Sequence, residues 1–141
     1  MASGDFAPRD LKDVPPQSPF SLLLGITIDT CTPKEVICRM EVTEQMANRN
    51  GVLHGGALMT LADTAAGTSA FISSPAEITN TTVEAKTNFI RPIRVGDVIT
   101  ARSVPVHVGR TTTVLQVTMT RGDGKVVGST SQTHLFMGWK D

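Results

Sequence analysis

A chain of 141 residues, 40% of them hydrophobic, can bury about 68% of its unfolded surface, so one domain with its own core is expected. Thirteen basic and thirteen acidic side chains cancel, which argues against a nucleic-acid binder and against a polybasic membrane-surface protein. With no Tyr and one Trp, a stacking platform for bases is excluded as well.

Residues 1–19 scatter Pro8, Pro15, Pro16 and Pro19 among charged side chains. They are expected to form a mobile arm or loose wrap ahead of a single domain over 20–141. No apolar run of leader length interrupts the arm, which points to the cytoplasm. Pro19-Phe20-Ser21-Leu22-Leu23-Leu24 predicts one or two helical turns. Leu24, Ile26 and Ile28 then share one parity, and Val36, Cys38, Met40 and Val42 share one parity of a second run, as half-buried strands require. Thr32-Pro33-Lys34-Glu35 connects the two. Cys31 and Cys38 lack zinc-finger or redox-motif spacing and read as reduced strand residues.

Residues 48–51 predict a turn, and 57–71 the one substantial helix, with Leu58, Leu61, Ala62, Ala65 and Ala66 at helical spacing. Ala62, Ala65, Ala66, Gly67, Ser69 and Ala70 make it slim enough for strands to wrap closely. Asp63, Thr64 and Gly67 interrupt its apolar character, so it is not a membrane span. Pro75 ends the helical region. Four β-rich runs follow at 79–90, 98–108, 111–121 and 125–137, separated by Pro92 and Gly96-Asp97, by Gly109, and by Gly122-Asp123-Gly124. The last of these reads as a hairpin turn rather than an adhesion tripeptide, and Asn80-Thr81-Thr82 as a chance sequon. The order β-β-α-β-β-β-β predicts an α+β domain in which a long central helix is wrapped by a mainly antiparallel sheet of about six strands.

Chemistry concentrates at the start of the long helix. His54-Gly55-Gly56 sits where the first backbone N–H groups have no partner and the helix dipole is positive, a ready seat for a developing oxyanion. With no Cβ at Gly55 or Gly56, a carbonyl group can come close. Asp63, nine positions after His54, is the one carboxylate in the helix, and such a group on an apolar helix needs a partner or a task. Together with Asn48, Asn50-Gly51 and Leu61-Ala62, these residues make the stretch 48–67 resemble the signature of the hotdog-fold acyl-CoA thioesterases of the phenylacetic acid degradation type.

That resemblance, which runs over about residues 20–137, implies a single hotdog domain that hydrolyses an acyl-CoA thioester, aryl-acyl or medium-chain, to free acid and coenzyme A. It assigns the oxyanion contact to the Gly55 N–H; His54, at the helix entrance, then orients the loop or contacts the thioester, and the Asn48 amide donates to the carbonyl or holds the attacking water. Asp63 becomes either general base on water or nucleophile through a mixed anhydride. It places a hydroxyl-bearing site residue at Thr82, although alternation puts Thr82 on the face of Glu84, Lys86 and Asn88, a register slip of one implicates Thr81 instead, and a β-bulge would change which way the side chain points. For coenzyme A it points to Gly109, Arg110 and Thr111, with Gly56 and Arg91 as further candidates.

Gly55 and Asp63 lie about 12 Å apart along a helix, whereas reacting atoms must come within about 3.5 Å. One subunit does not easily supply both, so a two-fold dimer is expected, Gly55 of one chain facing Asp63 of the other; the resemblance extends this to a homotetramer. No metal or cofactor is expected: thiolate leaves readily, and His54, His107 and His134 have no ligand context. Two rivals weigh less. Hydratases of the same fold use an Asp and a His around an Asn-Pro stretch that is absent here, and a non-catalytic acyl-CoA-binding module has no evident use for Asp63.

Overall fold

The computed structural model describes Val14, residues 16–74 and residues 78–138. Of the expected arm over residues 1–19, residues 1–13 and Pro15 lie outside the described residues, as does the helix-ending Pro75; Pro19 already belongs to the first helix. A short helix α1 (Pro19–Leu23) leads into β1 (Thr27–Cys31) and β2 (Val36–Glu41). The long helix α2 (Gly55–Ser73) is followed by β3 (Thr79–Phe89), β4 (Val98–Val108), β5 (Thr112–Thr120) and β6 (Val126–Met137). The six strands form one sheet in the order β1-β2-β4-β5-β6-β3, every pair antiparallel.

The sheet curls around α2, which touches all six strands. Close approach depends on small side chains: Ala62, Ala65, Ala66 and Ala70 are fully buried, flanked by Leu58, Leu61 and Ile72. From the sheet, Val36, Cys38 and Met40 of β2, Ile99 and Ala101 of β4, and Leu115, Val117 and Met119 of β5 close the core on alternate positions. The threonines of α2 turn their hydroxyls inward along the helix, Thr60, Thr64 and Thr68 each donating to the carbonyl four residues back. Both cysteines are free and buried, and burial pushes the Cys38 thiol up to about 12.

Two strand readings need correction. Leu24 is not in β1: it caps α1, and Gly25 with φ +67° turns the chain so that pairing begins only at Thr27. A bulge between Ile28 and Thr30 then changes the parity and sends Cys31 inward. In β3 a second bulge falls between Thr82 and Glu84. Thr82 lies opposite His134 and therefore faces the helix, while Glu84 and Lys86, opposite Thr133 and Ser131, face away. Thr82 thus does not share a face with Glu84, Lys86 and Asn88, and the alternative of Thr81 falls with the same parity change. The turn at 48–51 is closed by Gly51 N–H to the Asn48 carbonyl at 3.0 Å, with Gly51 at φ +76°.

If α2 must be slim, enlarging its buried stripe is costly. Ala66→Leu is expected to lower unfolding stability by about 1–3 kcal/mol, read as a reduced midpoint in urea at unchanged slope.

Candidate active site

The segment before α2 is shaped by side-chain oxygen and nitrogen acceptors. Asn48 Oδ1 accepts from Asn50 N at 2.8 Å and Val52 N at 3.3 Å, which holds the turn and leaves the amide NH₂ outside both bonds. His54 is the N-cap of α2, its Nδ1 accepting from Gly56 N at 2.9 Å. An accepting Nδ1 puts the neutral ring's proton on Nε2. Because the cap consumes the Gly56 N–H, the free donor at the helix start is Gly55 N–H, which has no hydrogen-bond partner among the described residues. A Cβ on Gly55 would stand 3.0 Å from the Phe89 ring, so glycine also keeps that approach open.

Asn48, Gly55, Phe89 and Arg91 line one cleft of about 400 Å³. Asp63 lines two others: one of about 350 Å³ toward Phe71 and Asn80, and one of about 250 Å³ toward Met59 and Thr87. The protomer therefore places the helix-start donor and the carboxylate in separate clefts. Thr82 Oγ1 donates to Asp63 Oδ1 at 3.0 Å, so β3 fixes one carboxylate oxygen and leaves the other open. Asp63 is exposed in the single chain.

Beneath this pair lies a polar cluster that the strand pattern of β6 contained but did not advertise. His134 is buried between Asn80 Oδ1, 2.9 Å from Nδ1, and Gln132 Oε1, 2.8 Å from Nε2. Burial lowers the His134 pKa, while the Asp63 charge pulls it the other way. A neutral ring donates at only one nitrogen, so one of the two amides turns its NH₂ toward the other. Thr130, next in the same row, exchanges a hydrogen bond with Thr87 at 2.8 Å.

A profile described as the thioesterase superfamily matches residues 50–128, which contain the helix start, Asp63 and Thr82. The chain belongs to the thioesterase superfamily. It is similar to the acyl-coenzyme A thioesterase PaaI of Escherichia coli (strain K12), with 32% identity over 104 residues that cover 74% of this chain and 72% of that one. Acyl-coenzyme A thioesterase 13 of Mus musculus is 28% identical over 113 residues, 79% of this chain and 80% of that one. Among solved structures, the E. coli PaaI protein from the phenylacetic acid degradation operon matches at TM-score 0.81 and 27% identity over 86% of each chain. The thioesterase-superfamily domain here is a single hotdog.

The residues expected to meet coenzyme A are not gathered within one protomer. Gly109, Arg110 and Thr111 form the exposed β4–β5 hairpin, held by Gly109 N to the Thr112 carbonyl at 2.8 Å, and they line none of these three clefts. Strand register puts that hairpin near Thr79, at the end of the sheet where α2 stops; Arg91 follows Phe89, at the end where α2 starts. Arg91 Nη1 donates to the Val126 carbonyl at 2.5 Å. Among the described residues no group of three His, Cys, Asp or Glu could hold a metal, and no helix is long and apolar enough to cross a membrane.

Because the folded protein binds the His134 proton less tightly than the unfolded chain does, the unfolded chain binds more protons just below its ordinary pKa of 6.5. The stability tied to His134 is thus fully present above that pH and is lost as pH falls below it. Urea unfolding of the wild type should weaken over this window, and the slope should flatten in His134→Gln.

Proposed function

We propose that the protein hydrolyses acyl-CoA thioesters to a free acid and coenzyme A, in an active site shared between two copies of the chain. The observation that carries the shared site is the separation of Gly55 and Asp63 into different clefts of one protomer, eight residues apart on a single helix. In a two-fold dimer the thioester carbonyl oxygen rests on Gly55 N–H, assisted by the Asn48 amide, and the carbonyl carbon faces Asp63 of the other chain. Water held between the Thr82 hydroxyl and the open Asp63 oxygen loses a proton to Asp63 as its oxygen bonds to the carbonyl carbon. The tetrahedral oxyanion then collapses, the carbon–sulfur bond breaks, and coenzyme A leaves as thiolate, which takes back the proton held on Asp63 and restores the carboxylate. The general-base reading is favoured over a mixed anhydride because Thr82, whose proton goes to Asp63 Oδ1, keeps its hydroxyl oxygen as an acceptor for that water. The chemistry asks for no metal or separate cofactor.

Strand β3 supports the dimer. It is a sheet edge of 11 residues, exposed along most of its length, and an edge of that kind offers unpaired N–H and C=O groups to another strand. Antiparallel addition of a second β3 reverses the ends of the two protomers. The Arg110 hairpin of one chain then comes to the end where Arg91 and Gly55 of the other lie, a cationic setting for the phosphates of coenzyme A. Two dimers would meet through the uncharged middle of the sheet's outer face, where Gln116 bonds Ser129 and Ser131, giving a tetramer. The buried free thiols suit a reducing compartment, the cytoplasm.

Asp63→Asn should lower kcat by about 10²–10⁴ with the oligomer intact, followed as thiol release from acyl-CoA. Asn48→Asp keeps the oxygen that holds the turn but removes the donor, and should cost about 10²–10³. Mixing the two variants under conditions that exchange subunits tests the shared site. With Asn48 and Asp63 drawn from different chains, activity recovers toward about a quarter of wild type; with both from one chain, it does not recover.

A further inference from the structure

The Arg121-Gly122-Asp123 turn between β5 and β6 reaches back to the cleft that holds Gly55. Arg121 Nε donates to both Asp123 carboxylate oxygens, at 3.0 and 3.1 Å, and Nη1 donates to the Pro92 carbonyl at 2.9 Å. Asp123 Oδ1 also accepts from Lys125 N at 3.0 Å, which fixes the carboxylate within the turn. Only 23% of the Arg121 side chain is exposed, so it lies against the protein rather than free in solvent. One residue on, Gly122 N donates to Asp97 Oδ1 at 3.0 Å, and a Cβ on Gly122 would stand 2.8 Å from that oxygen. The hairpin therefore grips the β3–β4 connection near both of its ends.

That connection is a wall of the Gly55 cleft, which Ile90, Arg91, Pro92 and Ile93 line together with Asn48 and Gly55. The Val127 carbonyl accepts from Ile90 N at 2.8 Å and from Arg91 N at 3.2 Å, and the Ile93 carbonyl accepts from Leu53 N at 2.8 Å. Between them, Pro92 has no N–H, so its carbonyl is the one backbone group by which the wall can be anchored there, and Arg121 takes it. The path continues to the site. Leu53 precedes the His54 cap, Val52 pairs with Arg94, and the Val52 carbonyl accepts from Asn48 N at 2.7 Å.

We propose that Arg121, aimed by Asp123, is a positioning residue for the thioester carbonyl: it holds Pro92 and Ile93, and through Leu53 and Val52 the Asn48 amide, in register with the Gly55 N–H. The proposal rests on hydrolysis with the carbonyl seated on Gly55. Arg121 itself lines neither the Gly55 cleft nor the Asp63 clefts. A slack wall shifts the carbonyl against its donors, and a displacement of about 1 Å can cost about 10²-fold in rate. Loss of the grip therefore shows in kcat rather than in KM. Lysine is no substitute, because an ammonium lacks the planar fork that meets a carboxylate and a carbonyl at once.

The test is thiol release from acetyl-, octanoyl-, palmitoyl- and phenylacetyl-CoA, with kcat and KM measured on the one turned over best. Arg121→Ala should lower kcat about tenfold with KM within about twofold of wild type. Arg121→Lys, which keeps the charge beside Asp123, should stay near the alanine value while its urea midpoint stays near wild type. Arg39→Ala, which breaks the ion pair with Asp29 near the other sheet edge, should leave kcat unchanged. In an Asn48→Asp background, Arg121→Lys should cost less than about threefold, since the contact it aligns is already lost. Wild-type kcat in either Arg121 variant overturns the proposal. So does a raised KM at unchanged kcat, the mark of a direct phosphate contact, or a tenfold loss that persists in the Asn48→Asp background. Absence of thiol release from all four substrates with the wild type overturns the hydrolase reading, and this proposal with it.

Discussion

The contact between the alanine stripe of α2 and the concave face of the sheet is the constraint on which the rest depends. Ala62, Ala65, Ala66 and Ala70 let six strands close around one helix, and that closeness fixes α2 in both rotation and depth. With its buried face committed, the helix shows its remaining face to the open side, and Asp63, Thr64 and Gly67 lie there. Its first turn is equally committed. His54 caps Gly56, and the next donor toward solvent is the Gly55 N–H. A helix placed by packing therefore offers an anion seat at one end and a carboxylate two turns later, without a catalytic loop.

The two strands beside the site add what the helix lacks. β3 brings Thr82 to Asp63, and β6 supplies the His134 and Gln132 row beneath it. Polar side chains inside a core are tolerated when they satisfy one another, as Asn80, His134 and Gln132 do in series. Burial disfavours the charged form of His134, and Asp63 is oriented by the Thr82 hydroxyl.

Much of this was legible in the sequence because the signals were local. The spacing of Leu58, Leu61, Ala62, Ala65 and Ala66 marked α2, and the β4, β5 and β6 runs fell within one residue of their observed ends. The helix start was legible for the same reason, since His54-Gly55-Gly56 carries its own capping chemistry. What was not legible depended on pairing. The bulges in β1 and β3 show only in the pairing of strand against strand, and nothing in the residues around Ile28 or Val83 fixes where they fall. The Asn80, His134 and Gln132 cluster was hidden for a related reason: 54 residues separate Asn80 from His134, and only the β3–β6 ladder brings them together.

The charge pattern on β3 has a consequence for how folded chains avoid the wrong company. Glu84 and Lys86 stand two residues apart on an otherwise uncharged, exposed stretch that includes Val83 and Phe89. If strands stacked in parallel and in register, as in fibrils, Glu84 would lie on Glu84 and Lys86 on Lys86 at a spacing of about 4.8 Å, and each added layer would repeat the repulsion. Antiparallel approach about an axis near Ala85 instead sets acid against base on both sides. Two side chains thus penalise open-ended growth on this edge and leave a closed antiparallel pair unopposed.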